Sequence, residues 1–416
     1  MPLSLHFSVD SKIERVATVE AKLVTFLVEQ DLPYSLSEYL LKLVKSMPGP
    51  DLLSQATLGR TKATNIARQA LAPHFHEKLL ESLKTNLFSV VIDETTDSSV
   101  AKQLAVCVSF CDEAMNVQVD LLALVECSDG SASGLFNQLV KVMDDVKKAG
   151  VPLQNWVGFC SDTTNAMMGI NHSVKTLVEG KYPWVTVVKC SCHLCALVAS
   201  HACKKLSKSL EDLCRTVCNH FRYSTKYQDA YRKEFQVFTQ VEQHRFLALA
   251  PTRWLSFQNC ARRILEQWDA LTLYWDSLVL DDPSNANDHV RMTLNNPYSR
   301  VMMFFVEYVL GELNEFNTIY QSEKPLFHLM KTQVEKLLWT FAMNSMKPSY
   351  VRTVNPFDIN PHDEVNYLPD ENVYIGYKGY DLLVGLETRE VTSGYFVVES
   401  LRIRRSARDF YVEAVQ

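Results

Sequence analysis

Between Phe88 and Lys189 the hydrophobic period of the chain switches from that of a helix to that of a strand and back, in an order few folds accept. Phe88-Ser-Val-Val-Ile92 is a short β-branched run that stops at Asp93, which suits a buried central strand. Leu104, Val106, Val108 and Phe110 alternate with smaller or polar residues, and Val117, Val119, Leu121 and Val125 alternate again after the turn-like Cys111 to Asn116. Ser131 or Ser133 can cap the next helix, whose stripe of Phe136, Leu139, Met143 and Val146 ends at Gly150 with Pro152 beyond. Trp156-Val-Gly-Phe-Cys160 reads as a fourth strand closed by Ser161 and Asp162. A helix and a fifth strand, Val185 to Lys189, follow.

A β-β-β-α-β-α-β order, with an antiparallel start and later strands joined through helices, is that of a ribonuclease-H-like core. The fold class expected is therefore α/β: a ribonuclease-H-like mixed sheet at 86–196, a large all-α insertion domain at 197–345 and N-terminal helices at 1–85. Residues 346–416, with Pro348, Pro356, Pro361 and Pro369, read as a linker and a C-terminal remainder of the core. In the N-terminal region Ile13, Val16, Val19, Leu23, Phe26 and Leu27 form one helical stripe. Ser35 with Glu38 has the form of a capping box, and Pro73 interrupts or starts a further helix. No internal repeat is visible.

Composition narrows the function classes. The balance of 42 basic against 48 acidic residues gives a net charge of −6, so the whole chain does not attract a polyanion, and any nucleic-acid surface has to be local. Eleven cysteines are too dilute for a disulfide scaffold, and the odd count fits a reducing compartment, nucleus or cytosol. No signal-peptide pattern opens the chain and no apolar run approaches the roughly 20 residues that span a bilayer, so a membrane protein is not expected.

Asp93 and Asp162 close two strands that neighbour each other in this topology. Convergent carboxylates are what hard Mg²⁺ or Mn²⁺ takes, and two such ions can hold the attacking and leaving oxygens of a phosphoryl transfer. Taken singly, each aspartate is equally an ordinary helix cap or Asx-turn. Cys190-Ser-Cys-His-Leu-Cys195, followed by His201, Cys203, Cys214, Cys218 and His220, is dense in ligand-type residues. It runs from a strand into a helix without the loop that separates ligand pairs in a tetrahedral site, so zinc is not expected. In Thr252-Arg253-Trp254-Leu255-Ser256 an arginine beside an aromatic could stack an unpaired base, although a packing tryptophan and a surface cation account for it as well. Arg402, Arg404, Arg405 and Arg408 read as a solvated helix face. Phosphate loops, dinucleotide fingerprints, serine-hydrolase elbows and zincin motifs are missing.

Taken together, four ordered segments resemble the hAT superfamily of DNA transposases and the host proteins derived from them: Phe88-Ser-Val-Val-Ile-Asp-Glu-Thr-Thr-Asp97, Gly158-Phe-Cys-Ser-Asp-Thr-Thr-Asn-Ala-Met-Met-Gly169, Lys189-Cys-Ser-Cys-His-Leu-Cys-Ala-Leu197 and Arg253-Trp-Leu-Ser256. The sequence looks most like the zinc finger MYM-type and SCAN-domain-containing members. The resemblance implies catalytic, metal-binding roles for Asp93 and Asp162, a site-shaping role without zinc for Cys190 and His193, and contact of Arg253 and Trp254 with distorted or unpaired DNA. The family's third carboxylate, a glutamate after the insertion, has no assigned counterpart here; Glu387, Glu390, Glu399 and Glu413 are candidates by position. Neither the family's dimerisation region nor its BED-type finger is found. The function expected is a domesticated or decayed transposase-derived protein without full strand-transfer activity, serving as a DNA- or protein-binding factor in the nucleus or, alternatively, the cytoplasm. An active Mg²⁺- or Mn²⁺-dependent transposase and a protein-interaction scaffold without DNA binding are the competing readings.

Overall fold

A computed structural model describes residues 12–47, 55–96, 101–240, 246, 256–322, 324, 326–389 and 394–416. The chain divides into two compact units, Met1–Val188 and Lys189–Gln416. No helix among the described residues is long and apolar enough to cross a membrane.

The first unit opens with helices α1 (Lys12–Glu29), α2 (Ser37–Ser46), α3 (Arg60–Ile66) and α4 (Ala72–Thr85). Val24 of α1 packs with Leu41, Ala63, Ala67 and Leu71, and Leu27 is buried, whereas Ile13 and Phe26 of the expected stripe face solvent. Glu20 is buried beneath this cluster and fully engaged: Oε1 accepts from the Thr57 amide at 2.8 Å and Oε2 pairs with Lys62 at 2.6 Å. The expected capping box does not form. Pro33 starts a 3₁₀ turn at Tyr34–Leu36, which places Ser35 inside the turn, and Glu38 pairs with Lys42 at 2.9 Å. Pro73 does not break the chain, because a π turn at Ala67–Leu71 widens the helix immediately before it and α4 continues.

Five strands follow: β1 (Phe88–Thr96), β2 (Lys102–Cys111), β3 (Val117–Glu126), β4 (Trp156–Ser161) and β5 (Thr186–Lys189). They form one mixed sheet in the order β3-β2-β1-β4-β5, with β1 antiparallel to β2, β2 antiparallel to β3, and β1 parallel to β4. Helices α5 (Ala132–Lys148) and α6 (Val174–Lys181) supply the crossovers. The Ser131 hydroxyl caps α5 by accepting from the Gly134 amide, and Gly150 ends it at φ +90°. Leu79 and Leu83 of α4, Leu139 and Met143 of α5 and Val174 and Val178 of α6 all pack with Val90, Ile92, Leu104, Val106 and Phe159, which gives the sheet one apolar core.

The β2–β3 turn carries local strain. Asp112 Oδ1 accepts from the amides of Ala114 and Asn116, and this holds Met115, a largely exposed residue, at φ +62°. A left-handed backbone is costly for any residue with a Cβ. Met115→Gly is expected to raise the unfolding free energy by about 0.5–1 kcal/mol in urea melts, the relieved strain exceeding the added entropy of the unfolded chain.

The described residues of the second unit are mainly helical: α7 (Ser191–Cys203), α8 (Lys208–Arg222), α9 (Ser256–Glu266), α10 (Trp268–Asp281), α11 (Asn285–Asn295), α12 (Pro297–Tyr320), α13 (Met330–Ser345), α14 (Tyr377–Arg389) and α15 (Gly394–Val415), with shorter turns between them. Helix α12 runs through the middle of its core, where Phe305, Val309 and Leu313 are buried with residues of α7, α9 and α15. Residues 346–416 belong to this unit, and Val373, Ile375, Ile403, Phe410 and Tyr411 lie in its core. The arginines of α15 form a solvated face only in part: Arg402 and Arg405 are exposed, whereas Arg404 and Arg408 are not. Arg404 is buried and donates to the Val373 carbonyl at 2.7 Å, and Arg405 and Arg408 both hold Asp370.

Candidate strand-end carboxylate site

Strand register decides whether two distant aspartates meet. In the parallel ladder Ser89 stands opposite Gly158, Val90 opposite Phe159 and Val91 opposite Cys160. The ladder ends there; carried two residues further, the same register would bring Asp162, the residue after β4, level with Asp93. Facing follows from alternation. Val90, Ile92, Phe159 and Ser161 are buried on the core side, so Val91 and Asp93 of β1 and Cys160 of β4 share the opposite side of the sheet, and Asp162 is the first residue after β4. The Cys107 thiol, across from Val91 on β2, is pushed up first by burial and then by the negative charge of Asp93.

A β-bulge sets this register. Phe88 pairs with Trp156 but Ser89 pairs with Gly158, so Val157 is an extra residue in β4. The Trp156 indole N–H donates to the Gly158 carbonyl at 2.7 Å across the bulge, while the ring is fully buried against Tyr182. Just before it, the Asn155 side-chain amide donates to the carbonyls of Leu83 and Lys84, which ties the start of β4 to the end of α4. In a regular register continued from Phe88 and Trp156, with Val157 paired to Ser89, Ser161 would stand level with Asp93 in place of Asp162.

Gly158 is required here by close approach. A Cβ at that position would lie 2.4 Å from Ser89 Oγ and 3.1 Å from Ser89 Cβ. Gly158→Ala is therefore expected to cost about 1–3 kcal/mol in denaturant unfolding. Adding Ser89→Gly should recover most of that loss, because the opposing side chain is then gone.

Asp93 does not lie past its strand, as the sequence had suggested. Antiparallel pairing with β2 carries β1 on to Thr96, and only the β4 side of the strand ends near Val91. Asp162 does lie just past β4. Its Oδ1 accepts from the Thr164 amide at 3.2 Å and from the Thr164 hydroxyl at 2.9 Å, so it also makes the Asx-type turn into the one-turn helix Asn165–Met168. The two carboxylates thus offer part of the oxygen ligand set a hard divalent cation takes. Among the described residues no group of three or more His, Cys, Asp or Glu side chains could hold a metal ion.

The other expected site residues lie elsewhere. Cys190 is the residue before the first turn of α7 and His193 lies within that turn, both in the second unit. Their neighbours Cys192 and Cys195 point at α12 and donate to the carbonyls of Asn317 at 3.9 Å and Leu313 at 3.5 Å, so this cysteine run is used in packing. Arg253, Trp254 and Glu390 lie outside the described residues. Glu399 pairs with Arg402 at 3.5 Å, Glu413 pairs with Lys205 at 3.2 Å, and Glu387 lies near enough to Arg404 to act on its charge. Trp156, Ser89 and Gly158, which hold the two strands in register, were not singled out as functional by sequence reasoning. The only signal was a glycine inside a strand pattern.

Comparison with known proteins places the sheet unit. Residues 59–171 match the family described as DUF4371: ZMYM1/FAM200, RNase-like domain. A curated relative, General transcription factor II-I repeat domain-containing protein 2 of Bos taurus, is 24% identical over 317 residues, which cover 72% of this chain. The matched part spans 31%, about a third, of that relative's length. The mixed sheet, with Asp93 and Asp162, therefore lies largely within a segment similar to the RNase-like domain described for ZMYM1 and FAM200.

Proposed function

We propose that the chain is a transposase-derived protein of the hAT type that has kept the strand-end aspartate pair and works as a nuclear binding factor, without strand-transfer activity of its own. The observation that supports this reading is the parallel β1–β4 register, which ends at Val91 and Cys160, two residues before Asp93 and Asp162. A sheet of ordinary packing has no need of two like charges there, since carboxylates side by side repel. The likeness to an RNase-like domain and to a transcription-factor repeat protein supports the ancestry and the nuclear setting.

Asp93 and Asp162 are the residues that would hold a Mg²⁺ or Mn²⁺ ion. Such an ion supplies charge neutralisation at a phosphate. The chain's own groups argue against a full reaction. One oxygen of Asp162 is already engaged by Thr164, and Glu399 and Glu413 are engaged within the helical unit. A net charge of −6 confines any contact with DNA to a local basic surface.

The test incubates the purified chain and Asp93→Ala with Mn²⁺, supercoiled plasmid and short duplex DNA. The reading expects no nicking, cleavage or joining above the metal-only background in either protein. Metal-dependent cleavage by the natural sequence that disappears in Asp93→Ala would overturn it in favour of an active nuclease.

A further inference from the structure

Three cysteines meet in the core of the helical unit. Cys214 and Cys218 lie one turn apart on α8, and Cys260 faces them from α9. The Sγ atoms of Cys218 and Cys260 are 3.3 Å apart, and Cys214 lies near enough to push the Cys260 thiol up. Val217, Phe221, Phe257 and Ile264 bury the group. A disulfide requires a sulfur separation of about 2.05 Å, so the nearer pair has to close by only about 1.3 Å, which small side-chain rotations can supply. Cys218 and Cys260 are 42 positions apart in sequence, and the segment they bracket contains Arg253 and Trp254.

We propose that Cys218 and Cys260 form a disulfide when the folded chain meets a hydroperoxide, with Cys214 remaining a thiol, and that this bond staples α8 to α9. Cys218 is 4% exposed and Cys260 is fully buried, so the oxidant reaches Cys218 first. Its sulfur attacks the peroxide, the O–O bond breaks, and the departing hydroxide takes the thiol proton and leaves as water, giving a sulfenic acid on Cys218. The Cys260 sulfur then attacks the Cys218 sulfur. The S–O bond breaks, and the hydroxide released combines with the Cys260 proton to leave as a second water. Two thiols have lost two electrons and one hydroperoxide has been reduced.

The site selects its oxidant. Burial admits hydrogen peroxide but not a bulky disulfide such as oxidised glutathione. The mutual hydrogen bond and burial raise the Cys218 thiol well above its usual range, so the reaction is slow at neutral pH and accelerates as pH rises. Closing a long loop narrows the unfolded ensemble, so the oxidised chain melts at a higher temperature.

The experiment treats the folded full chain with hydrogen peroxide, blocks remaining thiols and maps peptides by mass spectrometry without reduction. The expected result is a Cys218–Cys260 cross-linked peptide, removed by dithiothreitol, with an upward Tm shift of several degrees. Cys218→Ala and Cys260→Ala should lose both the cross-link and the shift, and Cys214→Ala should keep both, which separates loss of the bond from loss of the fold. A Cys214–Cys260 link, or no link when exposed Cys111 is fully oxidised, would overturn the proposal.

Discussion

Replacing Trp156 by alanine is expected to lower the unfolding free energy by about 3–5 kcal/mol, the range for deleting a fully buried large aromatic. Trp156 is 0% exposed, packs against Tyr182 with ring centroids 4.8 Å apart, and donates its indole N–H across the β4 bulge to Gly158. The loss should therefore have two components. Trp156→Phe keeps most of the packing and removes only the hydrogen bond, so it should cost about 1–2 kcal/mol. Equilibrium unfolding in urea, followed by far-ultraviolet circular dichroism, distinguishes the two variants.

A loss of similar size is expected at the other end of the chain. Arg408 Nη1 holds Asp370 at 2.5 Å, Nη2 donates to the Leu368 carbonyl at 2.6 Å, and the guanidinium lies 5.1 Å from the centre of the Tyr367 ring. The two charged side chains are only 13% and 18% exposed, so Arg408→Ala leaves a largely buried carboxylate with Arg405 as its remaining partner and should cost about 3–5 kcal/mol. Arg408→Lys should recover little of this, since one ammonium cannot serve the carboxylate and the carbonyl in the geometry of a guanidinium.

The same cluster predicts a pH dependence. Burial pushes the Asp370 carboxyl up, but hydrogen bonds and charge from Arg405 and Arg408 outweigh it and hold the group below its usual 3.8. A depressed carboxylate stabilises the fold above its unfolded pKa and loses that contribution as pH falls through the folded value. The stability difference between the natural chain and Asp370→Asn should therefore shrink as pH drops from about 5 towards about 2. A difference that stays constant over that range would mean the carboxylate's charge contributes nothing.

Strand order was legible in the sequence because a period of 2 and a period of 3.6 differ over even a few residues. The β1, β4 and β5 runs, the meander and the Gly150 stop all fall where the pattern sets them. The exact level of the aspartates was not legible. It depends on one extra residue in β4, and Gly158 in a strand pattern signals a bulge, a close approach or a simple weakness with equal force. Likewise Asp93-Glu-Thr-Thr96 looks like the end of a strand because no apolar residue continues it, yet antiparallel pairing with β2 needs only backbone groups. Arg404, Arg405 and Arg408 of α15 read as solvated because their partners, Asp370 and the carbonyls of Leu368 and Val373, lie more than 30 residues away in sequence. Long-range hydrogen bonds of that kind leave no periodic trace.

The most direct test is a crystal of the chain soaked in Mn²⁺ and measured at the manganese absorption edge. The register account predicts an anomalous peak between the carboxylates of Asp93 and Asp162, on the side of the sheet that carries Val91 and Cys160, and no such peak in Asp162→Asn. Carboxylates found on opposite sides of the sheet, or manganese held by other residues alone, would contradict it.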